Sequence, residues 1–220
     1  MIRSIVKAAF SAALLVGLAV PACAQQFSAD IVRTHAGGQP SAAAGKIYVS
    51  GNKVRVEMSE AGDGFFIVDA GAPASTFVRP SQQVYMDAKQ SSQLTQLLVP
   101  VDVADPCRQW QTMSAIATAN GESSAWNCER IGQGAEQRRD TIEYRASSAN
   151  GRHVMALIDP RLRLPVRLTM DDGTVIDLQH IQEQPQPAAL FEIPPGYRKF
   201  DPRALIERIK QSDVWVEPQH

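Results

Sequence analysis

From residue 26 onward, apolar positions mostly recur every second residue, in short runs separated by Gly, Asn, Asp and Pro. A period of two marks strands with one covered face. The clearest case is GKIYVSGNKVRVEMS (45–59). Ile47 and Val49 alternate on one arm, Val54, Val56 and Met58 on the other, and Ser50-Gly51-Asn52 makes the turn. FSADIVRT (27–34) reads as a first strand, followed by a Gly-Gly-Gln-Pro loop. GFFIVDA (64–70), STFVRP (75–80) and QVYMDA (83–88) continue the meander. The period then changes. Leu94, Leu97 and Leu98 fall at helical spacing and Pro100 stops the run, which predicts a short amphipathic helix within 89–107. Residues 108–121 read as a second short helix or a loop. Strands resume at 126–132, 138–146, 151–159, 164–170 and 174–181. Asn150-Gly151 and Asp172-Gly173 serve as hairpin turns, because Gly accepts the left-handed conformation such turns need. The Pro-rich stretch 183–200 is predicted to follow the domain edge and stay out of the sheet. DPRALIERIKQ (201–211) predicts a final helix with Asp201 as N-cap and Pro202 at the first position.

The pattern therefore predicts a mainly β, α+β domain: about ten antiparallel strands and one helical insertion. A sheet of this width curls, splits or closes. The central helix is the natural cover of a curved inner face. HVMALI carries apolar groups at consecutive positions, which predicts a strand covered on both sides. Val49, Val54, Val56, Met58, Ile67, Met86, Leu168 and Leu178 are expected to line the concavity, with Leu94, Leu97 and Leu98 above them. Together these are the expected ligand-binding residues, and they equally form an ordinary core.

The first 24 residues stand apart. Arg3 and Lys7 precede an uncharged stretch from Ala8 to Val20, then Pro21 and Ala22-Cys23-Ala24. A positive start, an apolar middle and an A-x-A end form a secretory signal, predicted to be cleaved after Ala24. A lipid anchor at Cys23 is the alternative. The domain division is thus 1–24 signal peptide, 25–200 folded domain, 201–220 C-terminal helix and tail. The apolar stretch is too short to span a bilayer, which takes about 20 residues, and the rest of the sequence offers no further candidate span. Loss of Arg3 and Lys7 leaves acidic residues in slight excess, which argues against a nucleic-acid surface. Cys107 and Cys128 remain as an even pair in an oxidising compartment, where a disulfide is expected.

Catalytic chemistry finds little support. His35, His153, His180 and His220 lack ligand spacing, and at most His153 and His180 meet across strands, short of a zinc site. Asp171-Asp172 precede Gly173 and read as turn residues. No Gly-x-Ser-x-Gly elbow is present, and the glycine-containing stretches do not link a strand to a helix as a phosphate loop would. Trp110 and Trp126 flank the two cysteines and are expected to pack on the disulfide. The reading is a non-enzyme with no cofactor and no metal.

The order of segments resembles that of one known family. GKIYVSGNKVRVE, the pair IVDA…TFVRPSQQVYMD, a helical break, LIDPRLRLPVRLTMDDGTVIDLQHI and finally FEIPPGY resemble the LolA-like superfamily of periplasmic lipoprotein carriers. The likeness covers most of 27–200 and is nearest to a branch whose members carry a Cys pair and a Pro-Gly-Tyr segment. The resemblance implies an open antiparallel half-barrel with helices plugging its concave side. It implies an exported periplasmic protein that binds acyl chains, lipids or lipidated peptides without catalysis. An envelope sensor or scaffold that meets a protein partner is the alternative, since other members act so. In the carriers an arginine works with a lid. Arg55 is the nearest match, but it alternates with Val54 and Val56 and is expected to point away from the apolar face.

Overall fold

The structure is a computed structural model that describes residues 25–37, 41–88, 93–117 and 125–201. The predicted signal, the possible anchor at Cys23, the stretch 89–92 and the predicted helix beyond Asp201 lie outside the described residues.

Six strands form the first half: β1 (Gln26–Thr34), β2 (Ser41–Ser50), β3 (Lys53–Met58), β4 (Phe65–Asp69), β5 (Ala74–Arg79) and β6 (Val84–Asp87). Two helices follow, α1 (Gln93–Leu97) and α2 (Pro106–Ala117). The second half is β7 (Trp126–Glu136), β8 (Arg139–Ser148), β9 (His153–Asp159), β10 (Leu164–Met170) and β11 (Val175–Gln182), with a short β12 (Arg198–Lys199). All belong to one sheet in the order β12-β6-β5-β4-β3-β2-β1-β11-β10-β9-β8-β7. The two meanders join where β1 pairs antiparallel with β11, and the sheet stays open. Bulges interrupt the β1–β11, β1–β2, β9–β10 and β7–β8 ladders. Each bulge bends its strand and sharpens the local twist, which curls the wide sheet into a half-barrel.

Most turns follow the sequence signals. Gly51, Gly151 and Gly173 take φ of 58°, 81° and 76° at the β2–β3, β8–β9 and β10–β11 turns. The β7–β8 turn differs, since Gln137 and Arg138 adopt φ of 48° and 65° without a Gly or Asn. The Gln137 amide anchors it by donating to the Leu178 carbonyl at 2.9 Å. Lacking the usual turn residues, this hairpin carried no sequence signal, and β7 runs beyond its predicted end at 132.

Two expectations need correction. β9 is fully buried on one face, with Val154, Ala156 and Ile158, and only half-covered on the other, where Met155 and Leu157 are half-buried. The stretch 183–200 does more than follow an edge. It crosses the convex face, where the Leu190 carbonyl accepts from Arg55 and Phe191 is buried, and Arg198–Lys199 pairs parallel with β6. The Lys199 ammonium meets Asp87 at 2.7 Å beside that pairing. Proline excludes the earlier part of the strap from a ladder but leaves these two residues free to donate and accept.

Candidate functional site

The concave face follows from register. In an antiparallel ladder, directly opposed residues share a face. Val49 opposes Val54, which opposes Val68. Ile47 opposes Val56, which opposes Phe66, then Phe77, then Met86. In the other half, Leu168 opposes Ile176 and Ala156, and Leu178 opposes Ile31. Val49, Val54, Val56, Leu168 and Leu178 are completely buried, and Met58 nearly so. Leu94, Leu97 and Leu98 are buried with them in one continuous core. Gly45 lets the β3 backbone approach closely, since a Cβ there would stand 2.1 Å from the Glu57 carbonyl oxygen and 3.1 Å from the Met58 Sδ. Met86 shares the face but is half-buried at its rim, beyond Phe66 and Phe77, whose ring centroids lie 4.9 Å apart.

Ile67 does not belong to this set. It opposes Arg55 and Thr76, which places it on the convex face. In GFFIVDA every position from Phe65 to Val68 is apolar, so the run does not reveal its inward parity. Pairing with β3 sets it, and Phe66 and Val68 point inward instead.

The helical segment is tied to both halves of the sheet. The Trp110 indole N–H donates to the Leu97 carbonyl at 3.1 Å, and the Trp126 indole N–H to the Ser114 hydroxyl at 3.1 Å. Gln109 donates to the Ala70 carbonyl at 3.0 Å, at the β4–β5 turn. The Val101 N–H donates to the Arg163 carbonyl at 2.8 Å, and the Tyr144 hydroxyl donates to the Val103 carbonyl. The expected disulfide is present: Cys107 on α2 is joined to Cys128 on β7, with their Cα atoms 5.7 Å apart. The two indoles beside it meet edge to face at 6.2 Å. Clefts among the described residues open elsewhere. One of about 580 Å³ lies along α2 by Cys107, Arg108, Gln111 and Trp126, and one of about 400 Å³ by Gln25, Arg161 and Glu183.

Arg55 lies on the convex face, as its alternation predicts. Its guanidinium stacks 3.4 Å above the Phe65 ring, pairs with Glu57 and donates to the Leu190 carbonyl at 3.3 Å. It thus fastens the strap 183–200 rather than α1. Farther along the convex face, Arg167 pairs with Asp177 and Glu136, and Arg139 with Asp159 and Glu183. The bond to Asp177 raises the Arg167 guanidinium above its ordinary value. Burial pulls Arg139 down, but the bonds to Glu183 and Asp159 outweigh it and the net shift is upward.

His153 and His180 do not meet, because β10 separates their strands. The exposed His180 ring pairs with Asp30 at 2.9 Å. Asp172 accepts the Thr174 N–H at 2.8 Å, as a turn residue does, whereas Asp171 accepts the His153 N–H at 2.7 Å at the start of the neighbouring strand β9. Among the described residues no three His, Cys, Asp or Glu side chains gather so as to hold a metal ion, and no helix is long and apolar enough to cross a membrane.

No family model and no curated protein sequence matches the chain. Solved structures do. PNGF-II matches with a TM-score of 0.51 at 9% identity, over 86% of this chain and 34% of its own. The chain therefore spans about a third of the first structures it resembles, and the likeness concerns the fold. The LolA superfamily protein NE2245 from Nitrosomonas europaea matches with a TM-score of 0.36 at 12% identity, over 78% of this chain and 91% of its own. MucB, in the Pseudomonas aeruginosa MucA/MucB complex, matches with a TM-score of 0.38 at 13% identity, over 74% of this chain and 53% of the other.

Proposed function

We propose that this protein is exported to the periplasm by cleavage after Ala24 and binds an apolar ligand there without catalysis. The ligand class is an acyl chain, a lipid or a lipidated peptide. It lies on the concave face in place of α1, in contact with Val49, Val54, Val56, Leu168 and Leu178. One observation carries the reading: α1 is a five-residue helix whose place is set by Leu94, Leu97 and Leu98. So short a helix has little stability of its own. Burial of each such side chain contributes about 1.5–3 kcal/mol, and an acyl chain offers the sheet contacts of the same kind. In this reading α1 leaves and the chain takes its place, while α2 stays fixed to β7 by the disulfide. The fold is compatible with this use but does not prescribe it.

The test is a titration of the mature protein with a fluorescent fatty acid. The reading predicts saturable binding, competed by unlabelled lipid and accompanied by a change in indole emission from Trp110 beneath α1. Absence of saturable binding at all lipid concentrations below aggregation contradicts it.

A second reading is favoured by a separate observation. β7 has 11 residues, ends the sheet, and pairs with β8 alone among the described residues. An open edge of this length accepts an extended segment of another protein. In that reading the core stays closed and the protein acts as an envelope sensor or scaffold. A crosslinker placed on β7 in cells then captures a defined envelope protein, while the fatty-acid titration stays flat.

A further inference from the structure

We infer that Gln25, as the first residue of the exported chain, is converted to pyroglutamate. The inference rests on the proposed cleavage after Ala24. The side-chain Nε2 of Gln25 is buried and has no hydrogen-bond partner. Buried amide donors are nearly always satisfied, so this nitrogen stands out as a group the fold does not use.

The neighbouring contacts need nothing from it. The Gln25 carbonyl accepts the Gly51 N–H at 2.9 Å, which fixes the entry to β1 on the β2–β3 turn. Gln26, the next residue, accepts the Gln186 N–H on its side-chain oxygen at 2.6 Å. Both bonds survive a change confined to the α-nitrogen and side chain of residue 25. Residue 25 also lines the cleft of about 400 Å³ shared with Arg161, Leu162 and Pro185, so a chain beginning there has room at its terminus.

Once Ala24 is removed, the freed α-amine and the side-chain amide belong to the same residue, and closure is intramolecular. The neutral amine nitrogen attacks Cδ and forms a five-membered lactam. The Cδ–Nε2 bond breaks, and Nε2 leaves as ammonia carrying a proton from the amine. Nothing is oxidised or reduced, and no co-reactant is needed. The atom expelled is the unpartnered one, and the α-ammonium charge disappears from the start of β1.

The test is the intact mass of the full exported protein, read before any digestion, followed by the mass of its N-terminal peptide. The inference predicts a chain beginning at residue 25 and lighter by one ammonia, with that loss absent in Gln25→Ala. A chain beginning at residue 25 with its amide intact overturns the cyclisation and leaves the export reading standing. A chain beginning at any other residue, or retaining 1–24, overturns both. An ammonia lost only during digestion counts against the inference.

Discussion

The indole N–H of Trp110 reaches the main-chain carbonyl of Leu97 at 3.1 Å, with the Trp110 ring wholly buried. This bond joins α2, which is covalently fixed to the sheet, to α1, which is not. Trp110→Phe keeps most of the apolar volume and leaves the Leu97 carbonyl without its donor. We expect a loss of about 1–3 kcal/mol in urea unfolding and faster hydrogen exchange at Leu98, whose N–H bonds the Leu94 carbonyl. Unchanged exchange at Leu98 would show that apolar docking alone holds α1.

The disulfide between Cys107 and Cys128 closes a sequence separation of 21 residues. By the chain-entropy estimate it contributes roughly 3 kcal/mol. The double variant Cys107→Ser, Cys128→Ser is predicted to lose about that much unfolding free energy and so to unfold at lower urea concentration, and added reductant is predicted to leave this variant unaffected.

The two faces of the sheet are separable by charge. Val56→Asp places a carboxylate in a fully buried apolar row and is expected to cost more than about 4 kcal/mol. Ile67→Asp, on the convex face, is expected to cost about 1 kcal/mol. Equal losses in the two variants would contradict the register of β3 on β4.

Arg55→Ala removes the stacking on Phe65 and the bond to the Leu190 carbonyl. We expect about 1–2 kcal/mol of destabilisation, with increased hydrogen exchange confined to the strap around Phe191. Increased exchange in α1 instead would revive a latch role for this arginine.

Stability is expected to fall on the acid side. Asp63 and Asp172 lie below the ordinary carboxylate value, chiefly because the Ser81 and Thr174 N–H groups bond their anionic forms. With depressed values in the folded state, their contribution is complete above the unfolded value near 4 and is lost as pH falls through the folded ones. Asp63→Asn with Asp172→Asn should flatten that acid limb in thermal unfolding below about pH 4. An unaltered limb would assign it to other carboxylates.

Alternation at Val54, Val56 and Met58 was enough to place β3 and its inward face, and Asp172-Gly173 to place a hairpin. Leu94, Leu97 and Leu98 located the helical cover from spacing alone. Other features depended on contacts distant in sequence. Ile67 sits in an unbroken apolar run, and only pairing with Arg55 determines its side. The turn at Gln137 and Arg138 uses residues that do not announce it and relies on Leu178 to hold it. Phe65 and Val78 oppose each other on the convex face and are buried, as is Phe191 on the strap, although their outward positions look like half-covered surface in the sequence. Of the candidate site, the apolar face was legible. The disulfide that fixes α2 was legible too; the hydrogen bonds that hold α1 and α2 over the face were not, since most end on backbone carbonyls that carry no sequence signature.

The most direct measurement of the account is a native mass spectrum of the protein purified from periplasm under gentle ionisation. A bound acyl ligand predicts an adduct that survives desolvation and passes into organic solvent on extraction. A single clean mass with the disulfide intact, from protein isolated amid abundant lipid, would contradict it and move the function to the open edge of β7.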